Sequence, residues 1–329
     1  MSVKKAWSLL DTKAKRRQQA NQRYWARREQ ENLHREKLLK RADTYDTRIK
    51  RIYLEALGKV QKEIDSFYAK YAVDEGISIA EAKKRAQKLD IESYAIKAKE
   101  YVRTKDFSDQ ANAEMKLYNM TMKANRLELL RANIGIELVS MFDELEKFTN
   151  ETLTEEALME FRRLAGILAD TTEGLDMQTM AHTIATGSFH NARFSDRIWL
   201  YQDILRMEID KQLRVGMTQG KSPRVLAREI RKVFKTSRYN AERLMRTEMA
   251  RVQTEAQKES YKRNGFERYE YICCGLPDAC EVCRALDGKV FYVKDMIPAD
   301  NAPPMHPNCH CSTAAYMDDK EYEEWLNSL

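Results

Sequence analysis

The sequence predicts a mainly α-helical protein: an elongated helical body followed by a small C-terminal α+β module. Three observations carry this expectation. All six prolines lie at or beyond position 223, so no proline ring interrupts a helix upstream. Apolar residues in that upstream region recur at helical spacing. All six cysteines fall between 273 and 311, in a stretch that also holds the β-prone segments.

The first clear stripe is Ile49, Tyr53, Ala56, Val60, Ile64, Phe67 and Tyr71, one face of an amphipathic helix. It should stop near Asp74-Glu75-Gly76, and Ser78-Ile79-Ala80-Glu81 has the form of a capping box opening the next helix. A further helix is expected over 110–148, carrying Leu127, Leu130, Ile134, Leu138 and Phe142, and another through Leu158, Phe161, Leu164 and Leu168. Thr186-Gly187-Ser188 is a loop, and Ile198–Val215 is a helix that Gly216 can end. Gly220-Lys221-Ser222-Pro223 restarts the helical pattern, with Ser222 as N-cap and Pro223 at the first helical position. A long helix follows from about Ser237 to Arg263, stopped by Asn264-Gly265. Phe266–Cys274 alternates as a strand does, Val290–Val293 is β-prone, and Ser312–Tyr316 makes a third short strand. The chain thus divides into a basic N-terminal helical arm (1–50), a helical body (51–182), a second helical segment (183–265) and a small β module (266–329).

Charged residues make up 33% of the 329 and aromatics 9%, a profile of long solvated helices rather than of a compact enzyme. No apolar run is long enough for a membrane span, and Lys4, Lys5, Lys13, Lys15, Arg16 and Arg17 occupy the place of a signal peptide's apolar core. The expectation is a soluble protein made in a cytoplasm. The net charge of +6 is uneven: residues 1–50 hold 15 Lys/Arg against 6 Asp/Glu, leaving 42 basic against 45 acidic groups elsewhere. Tyr24 and Trp25 interleave with Arg16, Arg17, Arg23, Arg27 and Arg28, which fits contact with DNA phosphates or an acidic protein surface. A solvated helix with Trp25 packed on a neighbour accounts for the same pattern.

The most informative pattern is Cys280-x2-Cys283, a 22-residue spacer, then His306-x2-Cys309-x-Cys311. Two thiols three positions apart can grip one metal ion while a distant segment completes the set, which is the arrangement of structural zinc sites. Five candidates compete for four places: Cys280, Cys283 and His306, with either Cys309 or Cys311 as the fourth. Free cytosolic thiols or disulfides are the competing reading. Cys273 and Cys274 are assigned to packing on the strand, and Asp278, Glu281 and Asp287 to turns. No His-x-Glu precedes the cysteines, and the spacing of His306 and His310 is not that of an HNH nuclease, so the expected metal role is structural and no catalytic residue is assigned. His34, His182 and His190 have no partner spacing.

An ordered set of segments resembles the phage minor head proteins, the head morphogenesis family that includes the Mu F-type proteins. The segments are Phe194-Ser195-Asp196-Arg197-Ile198-Trp199, the Gly-Lys-Ser-Pro start at 220–223, Arg246-Thr247-Glu248, Cys280-x2-Cys283-x2-Leu286-Asp287-Gly288 and Pro303-Pro304-Met305-His306-Pro307-Asn308-Cys309-His310-Cys311. The likeness covers about 183–316, with looser matches at Tyr24-Trp25-x-x-Arg28 and Asn125-Arg126-Leu127-x-x-Leu130. The chain departs from the family pattern at His310, usually a basic residue, and at Cys273-Cys274-Gly275. The resemblance implies a non-enzymatic minor capsid protein that acts at the portal vertex during procapsid assembly and resides in the virion. Its implied partners are the portal protein and the major capsid or scaffolding protein, with DNA reached through the basic arm. A metal-dependent nuclease and a zinc-containing DNA-binding protein are the rivals. Residues 278–311 weaken the latter, holding only Arg284, Lys289 and Lys294 against five acidic groups.

Overall fold

The computed structural model describes residues 3–73, 96–101, 103–104, 108–112, 126–168, 175–219, 221–274 and 279–318, with backbone only for 3–28, 68–73, 126–127, 217–218 and 223. The described chain is mainly helical. Its long helices are α1 (Val3–Val73), α2 (Arg126–Leu168), α4 (Phe194–Thr218) and α5 (Pro223–Arg263), with a short α3 (Met177–Ala185) between them. Strand β1 (Arg268–Ile272), the six-residue helix α6 (Glu281–Leu286), β2 (Val290–Tyr292) and β3 (Ser312–Tyr316) follow. The sheet is antiparallel in the order β2-β1-β3, with Tyr269 opposite Phe291 on one side and Ala315 on the other. No helix among the described residues is long and apolar enough to cross a membrane.

Helix boundaries follow their local chemistry. The Ser222 carbonyl accepts the Leu226 N–H at 3.1 Å, the first helical bond of α5, as an N-cap at 222 requires. At its other end Phe266 N–H bonds the Tyr261 carbonyl at 2.9 Å, Gly265 N–H bonds that of Lys262 at 3.2 Å, and Gly265 has φ 72. These are the two bonds of a Schellman motif, and the Phe266 ring meets Tyr261 edge-on at 6.4 Å as its hydrophobic partner. Three expectations are revised. The helices expected over 110–148 and through 158–168 are continuous as α2 from residue 126; residues 113–125 and the capping box at 78–81 lie outside the described residues. The helix expected from Ser237 begins at Pro223. Gly216 does not end α4, which runs on to Thr218. A Cβ there would lie 3.3 Å from Leu226 Cδ1, so the glycine admits the close approach of α5.

The chain forms two compact units, Tyr45–Glu151 with Thr186–Arg243, and Met1–Thr44 with Thr152–Ala185 and Leu244–Leu329. In the first, the α1 stripe buries Ile49, Tyr53, Ala56, Val60 and Ile64, and α2 buries Leu130, Ile134, Leu138 and Phe142. Each large apolar side chain so buried contributes about 1.5–3 kcal/mol. The Tyr53 ring sits edge-on between Phe142 at 6.1 Å and Phe234 at 6.4 Å, and its hydroxyl lies 3.1 Å from Ser237 Oγ. Trp199 Nε1 donates to Glu146 Oε2 at 2.7 Å, and Arg131 grips both oxygens of Asp210.

The second unit holds the sheet. Leu164, Leu168, Tyr261, Phe266, Tyr269, Val293, Met296 and Ala302 form its apolar core. Beside that core runs a buried polar chain. Arg163 pairs with Glu160 at 2.6 Å and with Glu31 at 2.6 Å, Gln257 donates to Glu160 at 2.8 Å, and Ser312 Oγ donates to Glu31 at 2.9 Å. Thr313 donates to Gln257 Oε1 at 2.6 Å, and His34 Nε2 lies 3.1 Å from Glu160. One charged network therefore joins α1, α2, α5 and β3.

Candidate metal centre

The Cys-x2-Cys segment is pre-shaped by a helix start. Cys280 is the N-cap of α6, with φ −68 and ψ 159, and its Sγ accepts the Cys283 N–H at 3.3 Å. An N-cap side chain folds back over the first turn, where Cys283 is the third residue, so both thiols face one spot. The far half is a turn: Cys309 N–H bonds the His306 carbonyl at 3.1 Å, and Asn308 takes φ 62. Asn308 N–H donates to Thr247 Oγ1 at 3.3 Å, which ties this turn to α5.

The structure brings all five candidates together. Cys280, Cys283 and His306 place their ligand atoms within 4.8 Å of one another, and so do Cys283, Cys309 and Cys311. Cys283 belongs to both sets. Its Sγ lies 3.5 Å from His306 Nε2 and 3.9 Å from Cys309 Sγ. A tetrahedral ion with metal–sulfur bonds of about 2.3 Å and metal–nitrogen bonds of about 2.0–2.1 Å has edges of about 3.8 and about 3.6 Å. The residues fit such an ion, and these groups could hold a metal. His306 Nδ1 lies 2.9 Å from the Pro307 carbonyl. A carbonyl only accepts, so Nδ1 carries the proton and the Nε2 lone pair faces Cys283, the orientation a metal-bound imidazole needs. Tyr271 hydroxyl donates to Cys283 Sγ at 3.4 Å from the sheet side.

The electrostatics match. The hydrogen bond from Cys283, helped by that from Cys311, holds the Cys309 thiol far below the usual range. The same bond and burial push Cys283 up, and the Cys309 bond and burial push Cys311 up. Burial raises the Cys280 thiol, but the hydrogen bonds from Cys283 outweigh it and leave the thiol lowered. The shifts of Cys309 on one side and of Cys283 and Cys311 on the other thus run in opposite directions. A cation at their centre would favour the ionised form of every thiol.

Two described acids lie near the site. Asp287 follows α6 and its Oδ1 accepts the Cys273 N–H at 2.9 Å, and Glu281 sits in the first turn of α6. Residues 309–311 precede β3 rather than lie in it; Cys309 and Cys311 are buried, and His310 is half-buried. Of Arg246-Thr247-Glu248, the middle residue meets the metal loop. Glu248 pairs with Arg251, whose guanidinium also donates to the carbonyls of Ile184 at 2.8 Å and Ala185 at 2.9 Å. Arg246 lies 3.5 Å from Asp43 and lines a small cavity with Arg35, Cys309, His310 and Cys311. Sequence reasoning missed Tyr271, Thr247 and the carboxylate of Asp287 as supports. Cys273 and Cys274, assigned to packing, are indeed buried in an apolar cluster with Tyr271, Ala279, Cys283, Cys309 and Cys311, and their sulfurs lie within 4.8 Å of Cys311 Sγ. For Tyr271 the signal was present: it stands on the strand that leads into the cysteines.

The cysteines and His306 gathered at these turns, on a mainly helical chain, make a group that could hold a metal. Residues 207–314, about a third of the chain, match the family model of phage Mu protein F like proteins, the family that the motifs resemble. No curated protein and no solved structure matches the chain.

Proposed function

We propose that the chain is a minor head protein of a phage, a non-enzymatic assembly factor whose C-terminal module is stapled by zinc. The observation that carries this reading is the family match over 207–314, which includes all of α5 and the sheet almost to its end, together with every candidate ligand. Cysteine with histidine in a closed tetrahedral set favours zinc, and a module of three short strands gains from the staple. Cys280, Cys283, His306 and Cys309 hold the ion. When bound, zinc supplies folding energy and fixes the loop between residues 283 and 306. Tyr271 and Thr247 then orient Cys283 and the 306–311 turn. The module docks on the portal protein and on the major capsid or scaffolding protein at the portal vertex, and the protein remains in the virion. The basic arm contacts DNA.

Procapsids isolated from infected cells test this. The chain is expected in procapsids and virions and should co-purify with the portal. Absence from both particles sinks the assembly reading.

A further inference from the structure

We propose that Cys273, Cys274 and Cys311 form a second, three-thiolate site for a thiophilic metal ion, beside the one assigned to Cys280, Cys283, His306 and Cys309. The proposal rests on that assignment, because it takes Cys309 as the fourth ligand of the first ion and so releases Cys311.

Three sulfurs converge here within 4.8 Å of one another, all on buried residues. Adjacent residues of a strand point to opposite faces. Strand β1 ends at Ile272, however, and the irregular backbone at 273–274 lets both neighbouring thiols turn toward Cys311. That backbone is held at either end. Cys273 N–H donates to Asp287 Oδ1 at 2.9 Å, and the Cys274 carbonyl accepts from the Arg35 guanidinium. Two supports from distant segments thus fix the two residues whose thiols meet Cys311.

Thiolate donors select soft ions such as Zn(II), Cd(II) and Cu(I), and a buried three-sulfur set suits those that accept low coordination. Cys311 Sγ also lies within 4.8 Å of Cys283 and Cys309, so the two sites are contiguous through it. Binding is a proton exchange: each thiol that ligates releases its proton, and the metal keeps its oxidation state.

The test is a Cd(II) titration of the full chain, reduced and metal-stripped, followed by thiolate charge-transfer absorption and by metal analysis after desalting. The expected result is two ions per chain, falling to one in Cys273→Ala/Cys274→Ala. Alanine keeps a small apolar group in each buried position, and Cys273→Ala alone serves if the double variant loses its far-ultraviolet dichroism. Zn(II) and Cu(I) arms identify which soft ion binds most tightly at the second site. One ion in the wild type, unaffected by the alanine pair, overturns the second site and leaves the first standing. Two ions in both proteins overturns the assignment of Cys273 and Cys274. No bound ion overturns both sites.

Discussion

Glu160→Gln probes the charged network that joins α1, α2, α5 and β3. Glu160 is 2% exposed, and although burial raises its pKa, Arg163 first and His34 after it hold the carboxyl at about 2 against an ordinary 4.5. A shift of that size corresponds to about 3 kcal/mol of stability that depends on the ionised form. The folded-state value is depressed, so this stability is fully present above 4.5 and is lost as the pH falls through the window from 4.5 to about 2. Glutamine preserves shape and can still accept from Arg163 and Gln257, which isolates the charge. Urea unfolding followed by far-ultraviolet dichroism should therefore show the variant less stable by about 3 kcal/mol near neutral pH, with the gap closing through that window. Metal loss in acid affects both proteins alike and cancels in the difference. A gap that is absent near neutral pH, or constant down to the acid limit, would refute the idea that the network's ionisation supports this unit.

Arg251→Met removes the buried ion pair with Glu248 and the donors to the carbonyls of Ile184 and Ala185, so it should cost about 3–5 kcal/mol in denaturant unfolding and raise amide exchange in α3. Gly58→Ala and Gly166→Ala meet nothing within 4 Å and should each stabilise by about 0.5–1 kcal/mol, whereas Gly216→Ala should lose that gain against the buried Leu226 side chain; melting curves of the three compare them. Trp199→Phe removes the donor to Glu146 Oε2 and should cost about 1.5–3 kcal/mol by urea unfolding. Alanine at Arg16, Arg17, Arg23, Arg27 and Arg28 should weaken DNA binding and flatten its dependence on salt; an unchanged salt slope in a filter or polarisation assay excludes the arm. Substitution is preferable to deleting the arm through residue 41, because Glu31, Arg35 and Arg41 belong to the described contacts of their unit.

The fold was legible wherever its cause is periodic and local. The α1 stripe from Ile49 to Ile64, the Ser222 start, the Asn264-Gly265 stop and the three strands all follow from neighbours a few residues apart. The joins between helices were not legible. Residue Gly216 signals a helix end by propensity, but the structure uses it for close packing against Leu226, a tertiary demand with no local trace. The five candidate ligands stood out because their spacing is short within each half. Which of them surround one point depends on the turn at Asn308 and the cap at Cys280, and both Cys309 and Cys311 lie within 4.8 Å of Cys283, so spacing alone does not choose between them. The Glu31–Arg163–Glu160–Gln257–Ser312 network was illegible for a plainer reason. Each member reads as an ordinary helix-surface or strand residue, and the partners are scattered across most of the chain.

The central claim is that an ion held by Cys280, Cys283, His306 and Cys309 closes the C-terminal module. Hydrogen exchange of the full chain, as purified and after chelation, tests it most directly. The account predicts bound zinc in the purified protein. It also predicts that chelation strips protection from α6, β3 and the 306–311 turn while the α1 and α2 amides of the other unit keep theirs. Metal-free protein with those segments already protected, or protection unchanged after zinc is removed, would contradict it.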